Sequence, residues 1–313
     1  MSPAAGARET AGLRLRVLGA AAGGGSPQWN CRCEVCRLAW AGDPRITPRT
    51  QSSIAISRDG EQWALINCAP EILAQIRQNP VLQPQHGDRH TPIRSVLLTN
   101  ADVDHIGGLL NLRERSSFRL LATPSIQAVL EANPIFGVLD AECVTREPVA
   151  LETAFELLDG VSAKLFAVPG KTALYLEGDT VEIGVEGEDT VGVEFIGAGS
   201  RVYYIPGCAT MTPRLAARLQ GADLVLFDGT LWRDDEMIAA GVGVKTGARM
   251  GHMSMSGDAG SIAAFAELAV SRRVFVHINN TNPVLIEGSP ERAQAERAGW
   301  EIAYDGMELA CRS

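Results

Sequence analysis

Short β-rich runs alternate with helical patterns along most of this chain, and no other feature restricts its fold as much. Strands and helices taken in turn must bury their apolar faces against one another in layers, which predicts an α/β domain, not an all-β sandwich or a helical bundle. Strands are expected over 13–18, 53–57, 63–67, 95–99, 118–122, 191–196, 202–205, 224–227, 274–278 and 302–304. Helices are expected over 69–78, 107–115, 125–132, 214–220, 259–270 and 290–298, with Ser125 as an N-cap. The turn at Asp59-Gly60 joins two strands as a hairpin. Residues 133–190 mix Pro, Gly and Val/Glu alternation and read as irregular strands in a variable connection. Apolar runs occupy both halves without a Pro- or Ser-rich linker, so 13–313 is expected to be one domain behind a flexible leader over 1–12.

Composition excludes several classes. With 46% hydrophobic and 21% charged residues the chain has enough apolar surface to fold, unlike a disordered sequence. A net charge of -9 and the lack of a long Lys/Arg run argue against a nucleic-acid platform. No stretch reaches the ~18–20 apolar residues that insert into a membrane, and the N-terminus lacks the apolar segment of a secretory signal. A cytoplasmic protein with small or weakly charged partners is expected.

Of seven cysteines, three crowd into Cys31-x-Cys33-x2-Cys36 and the rest are scattered, which is not the layout of a disulfide framework. That spacing lets three thiolates converge on one soft cation, zinc being the natural occupant, with a fourth ligand supplied from elsewhere. The alternative is three ordinary buried cysteines.

A second constellation follows the strand over 95–99: Asn100, Asp102, Asp104 and His105 precede Gly107-Gly108. Asp228 ends the apolar run LVLFD, and His277 ends RRVFVH. Three strands thus each deliver a carboxylate or imidazole where open α/β folds bind ligands, at a carboxyl edge. Singly, Asp102 or Asp228 could be a cap and His277 a hydrogen-bonded core histidine. The chain has only five histidines, and two of them occupy these positions. His252, in MGHMS, is a further candidate near a helix start; His86 and His90 lie in a polar loop.

The segment from Thr99 to Gly108 resembles the metal-binding signature of the metallo-β-lactamase superfamily, His-x-His-x-Asp-His after an apolar strand. Asp228 and His277 match its bridging aspartate and final histidine. The resemblance implies an αββα sandwich of two mixed sheets flanked by helices. More closely, 17–36, 48–57, 104–114, 228–243, 250–257 and 277–285 are similar to the pyrroloquinoline quinone (PQQ) biosynthesis B family.

Asn100 and Asp102 stand where dinuclear hydrolases carry two histidines, which leaves Asp104, His105, Asp228 and His277, with Asp102 nearby. Two imidazoles with carboxylates are the ligand set of non-haem Fe(II) oxygen-activating sites. The family resemblance implies iron-dependent hydroxylation of the tyrosine in a Glu-Tyr unit, with O2 and an external reductant, beside other PQQ-pathway proteins. His252 is expected to donate or accept a proton there, or else to make a helix-start hydrogen bond. Superfamily phosphodiesterases close their zinc site three residues after the last active-site histidine, which here is Asn280. Arg49 is assigned to the substrate as a basic contact. A metal-dependent hydrolase and a soluble carrier in PQQ transport are the competing readings.

Overall fold

Runs such as SIAIS and LVLFD are buried at every position, so each strand must be covered on both faces. The computed structural model, which describes residues 12–197 and 199–311, covers them with two stacked seven-stranded sheets and helices on both outer faces. The first sheet takes β1 (Leu13–Gly19), β2 (Ser53–Ser57), β3 (Trp63–Ile66), β4 (Ile93–Leu97), β5 (Phe118–Ala122) and β6 (Val144–Pro148). The second takes β7 (Ala154–Leu158), β8 (Val161–Ala167), β9 (Val191–Gly197), β10 (Ser200–Ile205), β11 (Leu224–Asp228), β12 (Arg272–Val276) and β13 (Trp300–Ile302). β14 (Glu308–Cys311) crosses back to pair with β1.

Each sheet is antiparallel over three pairings and parallel over the other three. This is the αββα sandwich of two mixed sheets that the sequence predicts. Period-2 alternation turns Leu15, Val17, Ile54 and Ile56 of the first sheet toward Val193, Phe195, Leu224 and Leu226 of the second in one buried cluster. The opposite faces of β11 and β12, through Val225, Phe227 and Phe275, pack with the helices Pro213–Leu219 and Pro290–Arg297, and Trp300 stacks on Phe275 with ring centroids 3.8 Å apart. On the other side Leu65, Val96 and Leu120 cluster with residues of Ile72–Gln78 and Pro124–Ala132.

Three helices start at a hydroxyl residue followed by proline, and Thr123, Thr212 and Ser289 each accept a hydrogen bond from the N–H three residues on. Ser125 is therefore not the N-cap; Pro124 takes the first helical position and the Ser125 hydroxyl bonds Asp189. The expected helix over 107–115 is instead a single turn, Val103–Ile106, continued by the 3-10 segment Gly107–Leu112. Gly108 explains the change: its N–H bonds Cys68 O at 2.9 Å, and a Cβ there would lie 2.1 Å from Ala69 O. Over 259–270 only Ser261–Ala264 is α-helical, and Phe265 leaves the helix with its ring buried against Phe227 and Trp300. Residues 133–190 hold three well-paired strands, β6 to β8, more order than the sequence suggests. The last expected strand shifts to β13, and β14 is not anticipated.

Of the leader expected over 1–12, residues 1–11 lie outside the described residues. Among the described residues no helix is long and apolar enough to cross a membrane.

Candidate metal centre

The parallel strands β4, β11 and β12 all end at one edge, and the residues just past them converge. Asp104 and His105 ride on the turn Val103–Ile106, Asp228 is the last residue of β11, and His277 follows β12. The His105 and His277 ring centroids lie 5.3 Å apart, although 172 positions of sequence separate the two residues. His277 has φ 55, a left-handed backbone that a non-glycine residue adopts only where its surroundings hold it. Such strain concentrates at functional sites.

Two triplets of potential ligands share His277: Asp104 with His105 and His277, and Asp228 with His252 and His277. Within each, the ligand atoms lie within 4.8 Å of one another. In the first, Asp104 Oδ2 is 3.1 Å from His277 Nε2 and 3.7 Å from His105 Nε2. Asn100 Oδ1, 2.5 Å from His105 Nδ1, can only accept, so the ring proton sits on Nδ1. The Nε2 lone pair then points into the site, and this atom is buried without a hydrogen-bond partner. Burial also pulls the His105 imidazole below its ordinary pKa, which keeps that lone pair free.

His277 is oriented in the same way. Its Nδ1 lies 2.8 Å from Thr230 Oγ1, and Thr230 sends its own proton to Asp228 Oδ1 at 2.6 Å or His277 O at 3.0 Å. Burial would lower the His277 imidazole, but the Asp104 hydrogen bond and charge outweigh it and the pKa is raised. Burial likewise would raise the Asp104 carboxyl, and the His105 and His277 imidazoles beside it, His277 by hydrogen bond, hold it below the usual range instead. An orphaned imidazole nitrogen facing a second imidazole and an ionised carboxylate is a donor set that fits a divalent cation.

Asp228, expected from the sequence to share one ion with Asp104, His105 and His277, falls instead in the second triplet; it is fully buried and accepts four hydrogen bonds, from Cys208 N, Thr230 N, Thr230 Oγ1 and His252 Nδ1, the last at 2.7 Å. His252 stacks on His277 with centroids 5.1 Å apart, so it belongs to the cluster itself and is no remote helix-start residue. Asp102 stands at the N-cap position of Val103–Ile106, yet its Oδ1 accepts from Leu174 N at 3.0 Å. It lines the same cavity of about 360 Å³ as Asp104, His105, His252 and His277.

The three cysteine sulfurs also converge within 4.8 Å, buried and unpaired to any other cysteine. The Asn280 amide nitrogen lies 3.2, 3.8 and 3.3 Å from the sulfurs of Cys31, Cys33 and Cys36 and donates to them, so this side chain adjoins the cluster but would have to turn its oxygen inward to serve as the expected fourth ligand. Burial pushes the Cys33 thiol up to about 12, as it does for any thiol taken out of water, so the convergence of the sulfurs carries the assignment. Three converging sulfurs fit a structural zinc once a fourth ligand is supplied.

Comparison with known proteins accords with this geometry. Residues 62–278 match the family model of the β-lactamase superfamily domain. Coenzyme PQQ synthesis protein B of Methylorubrum extorquens (strain PA1) is 58% identical over 297 residues, 95% of this chain and 99% of that protein. The chain belongs to the coenzyme PQQ synthesis protein B family. The crystal structure of Zn(2+)-bound PqqB from Methylobacterium extorquens, 57% identical, matches with TM-score 0.94 over 95% of this chain and 100% of that one. A diphosphatase from the PhnP family, 21% identical, shares the fold with TM-score 0.68 over 95% and 96% of the two chains.

In this PQQ synthesis B protein the assignment of Arg49 to substrate is corrected. Its side chain is 5% exposed, with Nε bonded to Ala303 O at 2.9 Å and Nη1 to Thr47 O at 2.8 Å. Burial brings its pKa down to about 10 while Asp305 pulls the other way. Arg49→Met is expected to lower unfolding free energy by roughly 2 kcal/mol, because two buried carbonyls lose their donors. Denaturant midpoints check this, and substrate affinity should stay within twofold of the parent.

Thr230 escaped the sequence reading, although the Asp-Gly-Thr after a buried strand was visible. Thr230→Val keeps the shape but removes the oxygen that holds His277, His252 and Asp228. Metal affinity at the Asp104/His105/His277 triplet should fall ~10–100-fold in chelator competition, with Thr230→Ser close to the parent.

Glu236 was missed as well. It is buried, accepting from Trp232 N at 2.7 Å and from Thr281 Oγ1, four residues after His277, at 2.6 Å. Burial raises its pKa to about 7, against hydrogen bonds from Thr281 and Trp232 that lower it. The unfolded carboxyl, near 4.5, releases its proton first, so between 4.5 and about 7 stability declines with rising pH and then levels off. The full effect is roughly 3 kcal/mol. Glu236→Gln should flatten that decline, read from unfolding curves at about pH 4 and about pH 8.

Proposed function

We propose that this chain acts in the synthesis of coenzyme PQQ by hydroxylating the tyrosine of a Glu-Tyr unit, with Fe(II) at Asp104, His105 and His277. The observation that carries the reading is the unpartnered His105 Nε2 facing His277 and Asp104, a two-imidazole, one-carboxylate set with room beside it in the cavity. Iron bound there would supply O2 activation. One oxygen atom of O2 enters the ring and the other leaves as water, with two electrons from an external reductant. Asn100 and Thr230 hold the two imidazoles in the ligating tautomer. His252, anchored to Asp228 and lining the cavity, is placed to hold or move the phenol proton. Leu174, Met237 and Met250 give the cavity an apolar wall that limits water.

A two-metal hydrolase is less well supported. Displacement between two ions needs a second complete ligand set. Asn100 is committed to His105 and Asp102 to the Leu174 amide, and the other triplet among the described residues, Asp228 with His252 and His277, has to borrow His277 from the first while His252 Nδ1 and Asp228 Oδ2 already bond each other. The test is anaerobic loading with Fe(II), then O2, Glu-Tyr and reductant, following product mass. A gain of one oxygen supports hydroxylation. Ester turnover without O2, with two ions bound and no oxygen gain on any tyrosine peptide, supports the hydrolase instead.

A further inference from the structure

The wall of the metal-bearing cavity carries a charge that its protein as a whole does not. Lys171 and Lys245 line it, in a chain of net charge -9. Both lean on one carboxylate behind them, Glu177, which does not line the cavity. Lys171 Nζ is 2.9 Å from Glu177 Oε1 and also donates to Thr172 O at 3.1 Å. Arg249 takes the same carboxylate with both terminal nitrogens, at 3.0 and 3.4 Å. Lys245 Nζ stands farther off, 3.9 Å from Oε2, beyond hydrogen-bond reach. Three cations therefore share one anion. The excess is two positive charges, and the two lysines turn it toward the cavity.

The cavity's own acids cancel only part of that excess. Asp104 is held by the imidazoles, whereas Asp102 accepts only the neutral Leu174 N–H, so its carboxylate offsets one of the two charges and one positive charge is left over. Lys171 is also fixed along its stem. Gly251, at φ +85 just before His252, would with a Cβ meet Lys171 Cγ at 3.2 Å, so the lysine runs beside the His252 backbone. Lys245, with three ammonium protons and no hydrogen-bond partner among the described residues, has donors to spare.

We propose that Lys245 and Lys171 form a carboxylate-binding subsite that selects small ligands carrying two or more carboxylates, Glu177 and Arg249 serving as its internal brace. Naming Glu-Tyr as the ligand rests on the reading given under Proposed function; the subsite itself rests on the charge arrangement. A compact ammonium binds a carboxylate as a point charge, and in a partly desolvated cavity the pairing is stronger than on an open surface.

The experiment is equilibrium binding to zinc-loaded protein, so that no turnover intervenes, with Glu-Tyr compared against Gln-Tyr amide, which has no carboxylate. The parent should prefer Glu-Tyr by roughly tenfold or more, and added salt should erode that preference. Lys245→Met should bring the two peptides close to parity, Lys171→Met likewise, and Lys245→Arg should restore most of the difference. Among the described residues Lys245 makes no hydrogen bond and only the 3.9 Å approach to Glu177, so its variants should melt with the parent. Equal affinity of the parent for both peptides overturns the subsite, as does a preference unchanged in Lys245→Met. Preference without any oxygen gain in the Fe(II) assay leaves the subsite standing and removes the hydroxylase; oxygen gain with the KM for Glu-Tyr unaltered in Lys245→Met does the reverse.

Discussion

His277→Ala is expected to abolish metal binding at the Asp104/His105/His277 triplet and, with it, any oxygen gain by the product. His277 is the residue the two ligand triplets have in common. Its removal takes one of two imidazoles from the first set and leaves Asp104 with a single neighbour 3.7 Å away. Changing a group that merely orients a ligand costs ~10–100-fold in affinity, so losing the ligand itself should cost more than ~100-fold. The backbone at position 277 is left-handed, and alanine there adds strain unrelated to the metal. His277→Asn separates the two effects, since asparagine tolerates that conformation. It should melt near the parent and still bind iron at least ~100-fold more weakly by chelator competition. Parent-like iron stoichiometry in both variants would refute the assigned centre.

The second large effect is expected for Cys33→Ser. Cys31 and Cys33 precede the short helix Glu34–Trp40 that bears Cys36, and all three are buried against Asn280, three residues beyond His277, so a cation there ties the first crossover to the end of β12. Metal binding that requires the folded arrangement is folding free energy. Loss of one sulfur should release the zinc and lower unfolding free energy by roughly 3 kcal/mol or more. Chelated parent protein should fall to about the same level. Iron affinity at the neighbouring centre should drop too, because the Asn279-Asn280 segment directly follows His277. Full zinc content in Cys33→Ser would reject a structural site at these cysteines.

Local pattern made much of the fold legible. Continuous apolar runs such as LVLFD and the Thr-Pro and Ser-Pro helix starts are consequences of nearest-neighbour chemistry, and they hold wherever the chain is placed. Boundaries failed where distant backbone intervened. Gly107-Gly108 reads as part of a helix, yet a carbonyl from residues 68–69 takes the Gly108 N–H and tightens the turn. At the site, Asp104, His105, Asp228 and His277 stood out because each follows a strand. Thr230 showed only as the end of an Asp-Gly-Thr after a buried strand, and Lys171 and Lys245 carried no such signal. A hydroxyl or an ammonium is common on any surface, and only the groups facing it make it functional. Arg49 shows the converse: a basic residue in a suggestive segment is buried and bound to two carbonyls.

The amino-acid order thus settled which residue types end the strands, and with them the layered α/β architecture and the chemistry on offer, since side-chain periodicity and ligand type are local properties. Which of those groups meet was decided by the tertiary fold. Stacking of the two sheets brought Asp104 and His105 to His277, and the connections of the second sheet put His252 against His277 and gathered three cations around Glu177, because hydrogen bonds and charge pairs depend on ångström separations between segments that lie far apart along the chain.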